Sequence, residues 1–482
     1  MGLIKLLEKT VLKYPEKIAI IDALNNKNYS YHDLLSDVKS LSNIFYEKGL
    51  RANQKIILYF YNSYYQIISF FSLLYIGAIP ILIDGNSCKN EILKFLDYSN
   101  SITLISEIEK KQILIDLSSE KKDLSIFIFS DDKDEIKNKK IIQISYEYLR
   151  NNKNTLKQSN NMNKIILFTY RGYGYPLGVI IPEKALINSV KSNNYLTEIN
   201  SSLCISLILP FSHIFALTCN VLSPLSVGGT IVLIRSVMPG KILSFIEKYK
   251  VNFMITIPTL IKVLIHYIKK SNFRLSTLKR GIVGGNCFSK ELFNEWLNLT
   301  GCVLLQGYGL TETCAVLCNQ WNNNKPDSIG KTMKGTKAKI TDKNGNKLPY
   351  GQIGKLWIKT YSAMNGYYNR NDLTNKLVKN NWVDTGDLAW KDEDDFYYFI
   401  KRDKLIAKLG GVTVDINEVW DIINNHPDIQ KAEIYIKDDD LWQEKLVCKI
   451  KTDKKLTKMD IYNYCSKYLA TSKIPKEIIF YK

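Results

Sequence analysis

Leu304-Leu-Gln-Gly-Tyr-Gly-Leu-Thr-Glu-Thr313 is the stretch around which the rest of the chain falls into order. Apolar residues running into Gly-Tyr-Gly predict a strand ending in a turn, and glycines let the backbone approach a ligand closely. Hydroxyl, carboxylate and hydroxyl follow at Thr311, Glu312 and Thr313. The Tyr308 ring offers a flat face for stacking, Thr311 a hydrogen bond to a phosphate, and Glu312 an oxygen ligand for Mg²⁺. The same residues also suit a plain turn in which Thr311 caps a helix.

Strand and helix patterns alternate upstream of this stretch. Leu3, Ile4, Leu7 and Val11 recur at helical spacing, Ile18–Asp22 reads as a strand, and 31–48 as an amphipathic helix. Lys55–Phe60 is a predicted strand, 63–76 a helix and 79–83 a strand. The apolar run 67–83 is interrupted by Ser69, Ser72, Gly77 and Pro80, which suits a buried helix and short strand better than a membrane span. Such alternation implies a parallel or mixed sheet with helices on both faces. The polar stretch 151–163 reads as an exposed connector, and a new βαβ region is expected to open at Lys164. From 329 to 400 the pattern changes to short strands and turns, with a hairpin-type turn at Asp342-Lys-Asn-Gly345. A small α+β unit closes the chain.

The 482 residues are 45% hydrophobic and carry a net charge of +19, enough chain for two or three domains. From 403 to 482, 14 Lys and Arg stand against 13 Asp and Glu, so the first 402 residues carry +18. The basic residues form no runs of the kind found in nucleic-acid-binding tails. An acidic or phosphorylated partner suits the balance, as does AT-rich coding without functional meaning. Nine scattered cysteines, with no C-x-x-C pair, point to neither a zinc site nor a disulfide framework, and to a reducing, cytoplasmic setting. The opening residues lack a signal-peptide layout.

A second turn, Asn381-Trp-Val-Asp-Thr-Gly-Asp387, places a carboxylate at its tip, and Phe399-Ile-Lys-Arg402 soon follows with a guanidinium. Such a pair suits the two ribose hydroxyls of a nucleotide, or a surface salt bridge. In this order the motifs resemble those of the adenylate-forming superfamily, which comprises acyl- and aryl-CoA ligases, nonribosomal adenylation domains and luciferases. Residues 306–313, Thr385-Gly-Asp387, and Arg402 with Lys408 and Gly411 carry the resemblance. Pro15-Glu-Lys-Ile-Ala19, Pro210-Phe-Ser-His-Ile-Phe215, Gly284-Gly285 and Met364-Asn-Gly-Tyr-Tyr368 extend it over essentially the whole chain.

The resemblance implies an α/β fold. A large N-terminal AMP-binding domain, 1–401, would hold two αβ subdomains and a β-rich subdomain. A small hinged α+β domain, 402–482, would follow. Thr169, Gly174, Gly284, Gly285, Tyr308, Thr311, Asp387 and Arg402 would bind ATP or AMP, with Tyr308 against the adenine and Asp387 and Arg402 on the ribose. Glu312 would hold Mg²⁺, His213 would sit beside the acyl pocket, and Lys404 would occupy the hinge. Lys408 and Gly411 would face the pantetheine of CoA or of an acidic acyl carrier protein. Catalysis would fall to Glu312, Thr311, His213 and Lys408.

Three departures from the family pattern stand out. The phosphate loop reads Thr169-Tyr-Arg-Gly-Tyr-Gly-Tyr-Pro-Leu-Gly-Val179, without the central hydroxyls and with Leu177 in place of a lysine. Backbone N–H groups of such a loop still suit phosphate, and Arg171 supplies a charge. Family members continue past the counterpart of Lys473-Ile-Pro-Lys476 to a lysine used in adenylation, whereas this sequence stops at Lys482. Adenylation is therefore expected to be weak, because a cation placed where charge develops contributes several kcal/mol. Finally, 210–221 contains no acid to hold an α-ammonium, so an acyl or aryl carboxylate is the expected substrate. The implied activity is ATP-dependent ligation of that acid to a phosphopantetheine thiol. The alternative is an adenylation-deficient helper of a carrier protein in polyketide or nonribosomal biosynthesis.

Overall fold

The computed structural model describes residues 2–131, 136, 138–152, 156–159, 163–236, 238–271, 273, 275–402, 406–409, 412–440 and 443–481. Helix Tyr31–Glu47 starts where the sequence supplies a cap. The Ser30 hydroxyl accepts from the Asp33 amide, and Asp33 accepts from the Ser30 amide, so two donors that a helix end leaves open are satisfied. Ser63 caps Tyr64–Tyr75, a helix buried on every side. Gly77, at φ +78°, then turns the chain into the strand Ile79–Asp84. That strand and Lys55–Phe60 are almost continuously apolar, as parallel strands covered on both faces must be.

Eight strands form the first sheet, in the order Gly366–Tyr367, Leu177–Pro182, Lys164–Thr169, Ile79–Asp84, Lys55–Phe60, Thr103–Glu107, Ser125–Phe129, Ile141–Ile144. Nine form the second: Lys331–Thr332, Cys314–Cys318, Val303–Leu310, Arg280–Val283, Phe253–Thr256, Cys204–Leu207, Thr230–Leu233, Ile18–Asp22, Lys27–Ser30. One core joins residues of both sheets with the helices Leu3–Lys13, Tyr31–Glu47, Tyr64–Tyr75 and Glu183–Thr197.

Two expectations are corrected here. Lys164–Thr169 does not open a separate region but joins the first sheet, parallel to Ile79–Asp84 and antiparallel to Leu177–Pro182. Ile18–Asp22, conversely, crosses to the second sheet beside Thr230–Leu233. Periodicity reports which faces a strand buries, not which sheet receives it. The described part of the 151–163 connector is also anchored rather than simply exposed. Ser159 donates its amide to the Tyr75 carbonyl, Leu156 accepts from the Tyr75 hydroxyl, and Asn163 is buried.

A third sheet of five strands contains Thr336–Thr341, Gly354–Thr360, Trp382–Lys391 and Val378–Lys379, with Tyr397–Arg402 on the far edge of Trp382–Lys391. The Asp342–Gly345 turn is present, with Gly345 at φ +90° and Asp342 accepting from the Asn344 and Asn346 amides. A smaller C-terminal domain follows the large one. It holds the hairpin Ile406–Leu409/Val412–Asp415, helices Ile416–Asn424 and Lys458–Cys465, and a three-stranded sheet, around its own core. Arg402 still pairs with the large domain through Asp387. Lys404, the expected hinge, lies outside the described residues.

Candidate active site

The expected turn at 381–387 is instead mostly strand: Asp387 follows Gly386, at φ +72°, within Trp382–Lys391, and its register partner on the next strand is Arg402. Arg402 Nε lies 3.3 Å from Asp387 Oδ1, and the Tyr308 hydroxyl donates to Asp387 Oδ2 at 2.6 Å. Asp387 is 1% exposed, and its Oδ1 accepts no hydrogen bond among the described residues. Burial, then the Asp387 charge, keeps the Tyr308 phenol protonated far above its ordinary range. The structure thus gives Tyr308 a fixed polar partner where its sequence suggested only a stacking face.

Val303–Leu310 turns directly into the antiparallel strand Cys314–Cys318, so no helix follows Thr311. Glu312, in that turn, is 1% exposed. Its backbone carbonyl accepts from the Met364 amide, which brings the short strand Gly366–Tyr367 alongside. From there the Tyr367 hydroxyl donates to Glu312 Oε1 at 2.6 Å. Arg171 Nε approaches the same oxygen at 3.3 Å, while its terminal nitrogens donate to the Thr385 carbonyl at 2.7 Å and the Asp384 carbonyl at 2.9 Å. Burial works hardest against the Arg171 charge, but Glu312, Tyr367, Asp387 and Asp384 together outweigh it and hold the guanidinium protonated above its ordinary range. A hard dication requires a set of oxygen ligands. The Glu312 carboxylate faces a guanidinium and a phenol, so with Arg171 in place these residues do not fit Mg²⁺.

The other residues expected on the nucleotide side are Gly284, Gly285, Thr169, Thr311 and Gly174. A Cβ on Gly284 would stand 3.2 Å from the Gly307 carbonyl and 3.3 Å from the Phe215 ring, tight enough that a neighbour would have to give way. Gly285 turns at φ +83°. Thr169 and Thr311, both half-buried, sit where strands Lys164–Thr169 and Val303–Leu310 give way to their turns. Gly174 donates its amide to Asp415 Oδ2 at 3.0 Å, so the loop between Thr169 and Leu177 meets the small domain.

His213 precedes a turn of π-helix, Ala216–Leu222, and its Nε2 lies 3.8 Å from Asp84 Oδ2. Burial works to raise the Asp84 pKa, but hydrogen bonds and charge from His213 and the Asn86 amide bring it below the usual value. This corrects the argument from 210–221. No acid is present in that segment, yet Asp84 reaches His213 from the other sheet, so the segment's composition does not decide the substrate's charge.

Lys408 pairs with Thr413 across the small domain's hairpin, and its amide donates to Glu444 Oε2 at 2.6 Å. Burial, reinforced by Arg402 and opposed by Asp387, Glu312 and Glu444, pushes its amine down to about 7. A small-domain amine and the Asp387–Arg402 pair therefore share one electrostatic environment. Gly411, the other pantetheine-facing candidate, lies outside the described residues. Sequence reasoning missed the Tyr367–Glu312 bond and the acid at Asp84. It quoted Tyr367 within a motif, but nothing in the spacing marks its partner.

The model of the AMP-binding enzyme family matches residues 7–368, which takes in Arg171, Tyr308, Glu312 and Tyr367. The chain belongs to the AMP-binding enzyme family. Within it, a long-chain-fatty-acid–CoA ligase of Escherichia coli is 33% identical over 278 residues, 56% of this chain and 49% of that ligase. The chain thus spans about half the length of that relative, and the same holds for those of Yersinia pestis and Salmonella typhimurium. The Bacillus subtilis long-chain-fatty-acid–CoA ligase is 25% identical over 99% of this chain and 90% of its own. Among solved structures, the amide bond synthetase McbA of Marinactinospora thermotolerans superposes with a TM-score of 0.87 at 18% identity, covering 100% of this chain and 96% of that one. The o-succinylbenzoate CoA synthetase of Bacillus subtilis gives 0.85 at 20% identity, covering 99% and 94%. These AMP-binding folds share the architecture of a large α/β domain and a smaller C-terminal one. Among the described residues no helix is long and apolar enough to cross a membrane, and all nine cysteines are free thiols.

Proposed function

We propose that this chain is an ATP-dependent acid–thiol ligase, which activates an acyl or aryl carboxylate and passes it to a phosphopantetheine thiol of CoA or of an acidic acyl carrier protein. The observation that carries this reading is the set around Asp387, where Arg402 Nε lies 3.3 Å from Oδ1 and the Tyr308 hydroxyl donates to Oδ2 at 2.6 Å. A carboxylate, a guanidinium and a phenol so arranged suit the ribose and base of a nucleotide. Relatives named long-chain-fatty-acid–CoA ligase and 2-succinylbenzoate–CoA ligase support it. A cytoplasmic setting, where thiols stay reduced, suits nine free cysteines.

In the first step a carboxylate oxygen of the acid attacks the α-phosphorus of ATP and pyrophosphate leaves. In the second the thiol sulfur attacks the acyl carbon, the thiol proton passes to a base, and AMP leaves. Asp387 and Arg402 would hold the ribose, with Tyr308 beside the base and Gly284 and Gly285 allowing close approach. Thr169, Gly174 and Thr311 would meet the phosphates, and His213 the acyl group. Lys408 and Gly411 would guide the thiol as the small domain turns about Lys404. Closure by that domain keeps water from a reactive intermediate.

Pyrophosphate exchange over a panel of fatty and aromatic acids tests the proposal. Exchange with one acid, followed by thioester formation, is the expected result. Silence across the panel, together with carrier-protein binding, would select the helper role instead.

A further inference from the structure

We infer that Arg171 takes the place of Mg²⁺ at Glu312, so that this chain meets the phosphates of its nucleotide with a built-in side-chain cation. The inference rests on the nucleotide reading above and deepens it.

The loop geometry places Arg171 there. Gly172 and Gly174 both adopt left-handed backbone, at φ +77° and +78°, and coil the chain tightly between strands Lys164–Thr169 and Leu177–Pro182. Successive side chains leave this coil in different directions. Tyr170 packs toward the small domain, where its hydroxyl accepts from Lys473 Nζ at 2.7 Å. Arg171 turns inward to Glu312 and is 4% exposed. Its two bonds to the Asp384 and Thr385 carbonyls tie the Glu312 turn to the strand that carries Asp387.

Charge balance makes the guanidinium and a dication alternatives. Glu312 is buried, and Arg171 already supplies a positive charge beside it. A dication on the same carboxylate would stand beside the guanidinium in a medium that screens poorly. Either the metal evicts Arg171, which would forfeit two hydrogen bonds to buried carbonyls, or the nucleotide binds without a metal at Glu312. Guanidinium is well suited to the second case, because its planar fork pairs with phosphate oxygens. One of its nitrogens has no hydrogen bond to lose. Arg171 Nε makes no hydrogen bond among the described residues, since its approach to Glu312 is an ion pair without hydrogen-bond alignment. Asp387 Oδ1, beside Arg402, likewise accepts no hydrogen bond among the described residues.

The test titrates ATP into the full chain by calorimetry, in Mg²⁺ and in EDTA. The parent is expected to bind equally in both. Arg171→Ser should lose about tenfold or more in EDTA and regain it with Mg²⁺. Parent binding that depends on Mg²⁺ as strongly as that of Arg171→Ser overturns the inference and leaves the ligase reading intact. A second measurement needs no nucleotide: thermal melts of Arg171→Met, Glu312→Gln and the double variant. Coupling predicts that the double variant loses clearly less than the sum of the two single losses; additive losses overturn the pairing. ATP binding in neither buffer, with coupling intact, overturns the nucleotide reading itself and this role of Arg171 with it.

Discussion

The Lys473 ammonium lies 2.5 Å from Glu91 Oε1, although the two residues stand 382 positions apart. Glu418 Oε2 at 3.1 Å and the Tyr170 hydroxyl at 2.7 Å complete the set. Burial works to strip the charge from Lys473, but Tyr170 and the two carboxylates hold its pKa well above the ordinary value. Glu91 belongs to helix Lys89–Ser99 of the large domain, while Glu418 and Lys473 belong to the small one. The cluster fastens the small domain against the loop that carries Arg171.

Lys473→Met would leave buried Glu91 without its cation and Glu418 with only the Lys94 cation, at 3.7 Å, among the described residues. Breaking a buried pair this way typically costs ~3–5 kcal/mol, to be read from urea unfolding. Glu91→Gln should cost less, since Glu418 still accompanies the ammonium, but should raise hydrogen exchange in helix Ile416–Asn424 as the small domain loosens. Parent-like stability and exchange in both variants would rule out the latch.

Asp387→Ala should weaken ATP and AMP binding at least about tenfold, because a carboxylate accepting ribose hydroxyls contributes ~1.5–3 kcal/mol. Calorimetry of parent and variant decides it. Equal affinities would remove Asp387 from the nucleotide site.

Lys408 should impose a pH profile on thiol transfer. In the folded chain its amine releases its proton near pH 7, against 10.5 ordinarily. The neutral amine, able to accept a thiol proton, therefore accumulates as pH rises through about 7, and the transfer rate should rise with it. Stability follows the same sign. Between about pH 7 and 10.5 the unfolded chain binds the extra proton, so this residue's contribution grows more favourable with pH across that window. Stopped-flow transfer by Lys408→Met should lack the limb near 7. An unchanged profile would exclude Lys408 as its source.

Binding of an acidic carrier protein should weaken steeply with salt. The first 402 residues carry +18, and surface charges are screened beyond roughly 10 Å at 0.1 M. A pull-down across a salt series measures this. Salt-insensitive capture would point away from electrostatic docking, and preference for free CoA would assign the thiol to CoA.

Much of the fold was legible because its signals are local. Ser30 and Ser63 announce helix starts through hydrogen bonds three residues away, and the apolar runs Lys55–Phe60 and Ile79–Asp84 announce buried parallel strands. The Asp387–Arg402 pair was also within reach, because adjacent antiparallel strands bring their register partners together whatever surrounds them.

The sequence by itself therefore determined most of the elements, the alternation of strand and helix, and the turn that carries Glu312, though not that Tyr308 and Asp387 lie within strands. Only the tertiary structure decided that Lys164–Thr169 enters the first sheet and Ile18–Asp22 the second. It alone decided that Arg171 and Tyr367 converge on Glu312, that Asp84 faces His213, and that Lys473 reaches Glu91. The physical reason is the same in each case. A buried charge must find an opposite charge or a hydrogen bond, but which one it finds depends on the path of the whole chain, and no spacing along the sequence encodes that path.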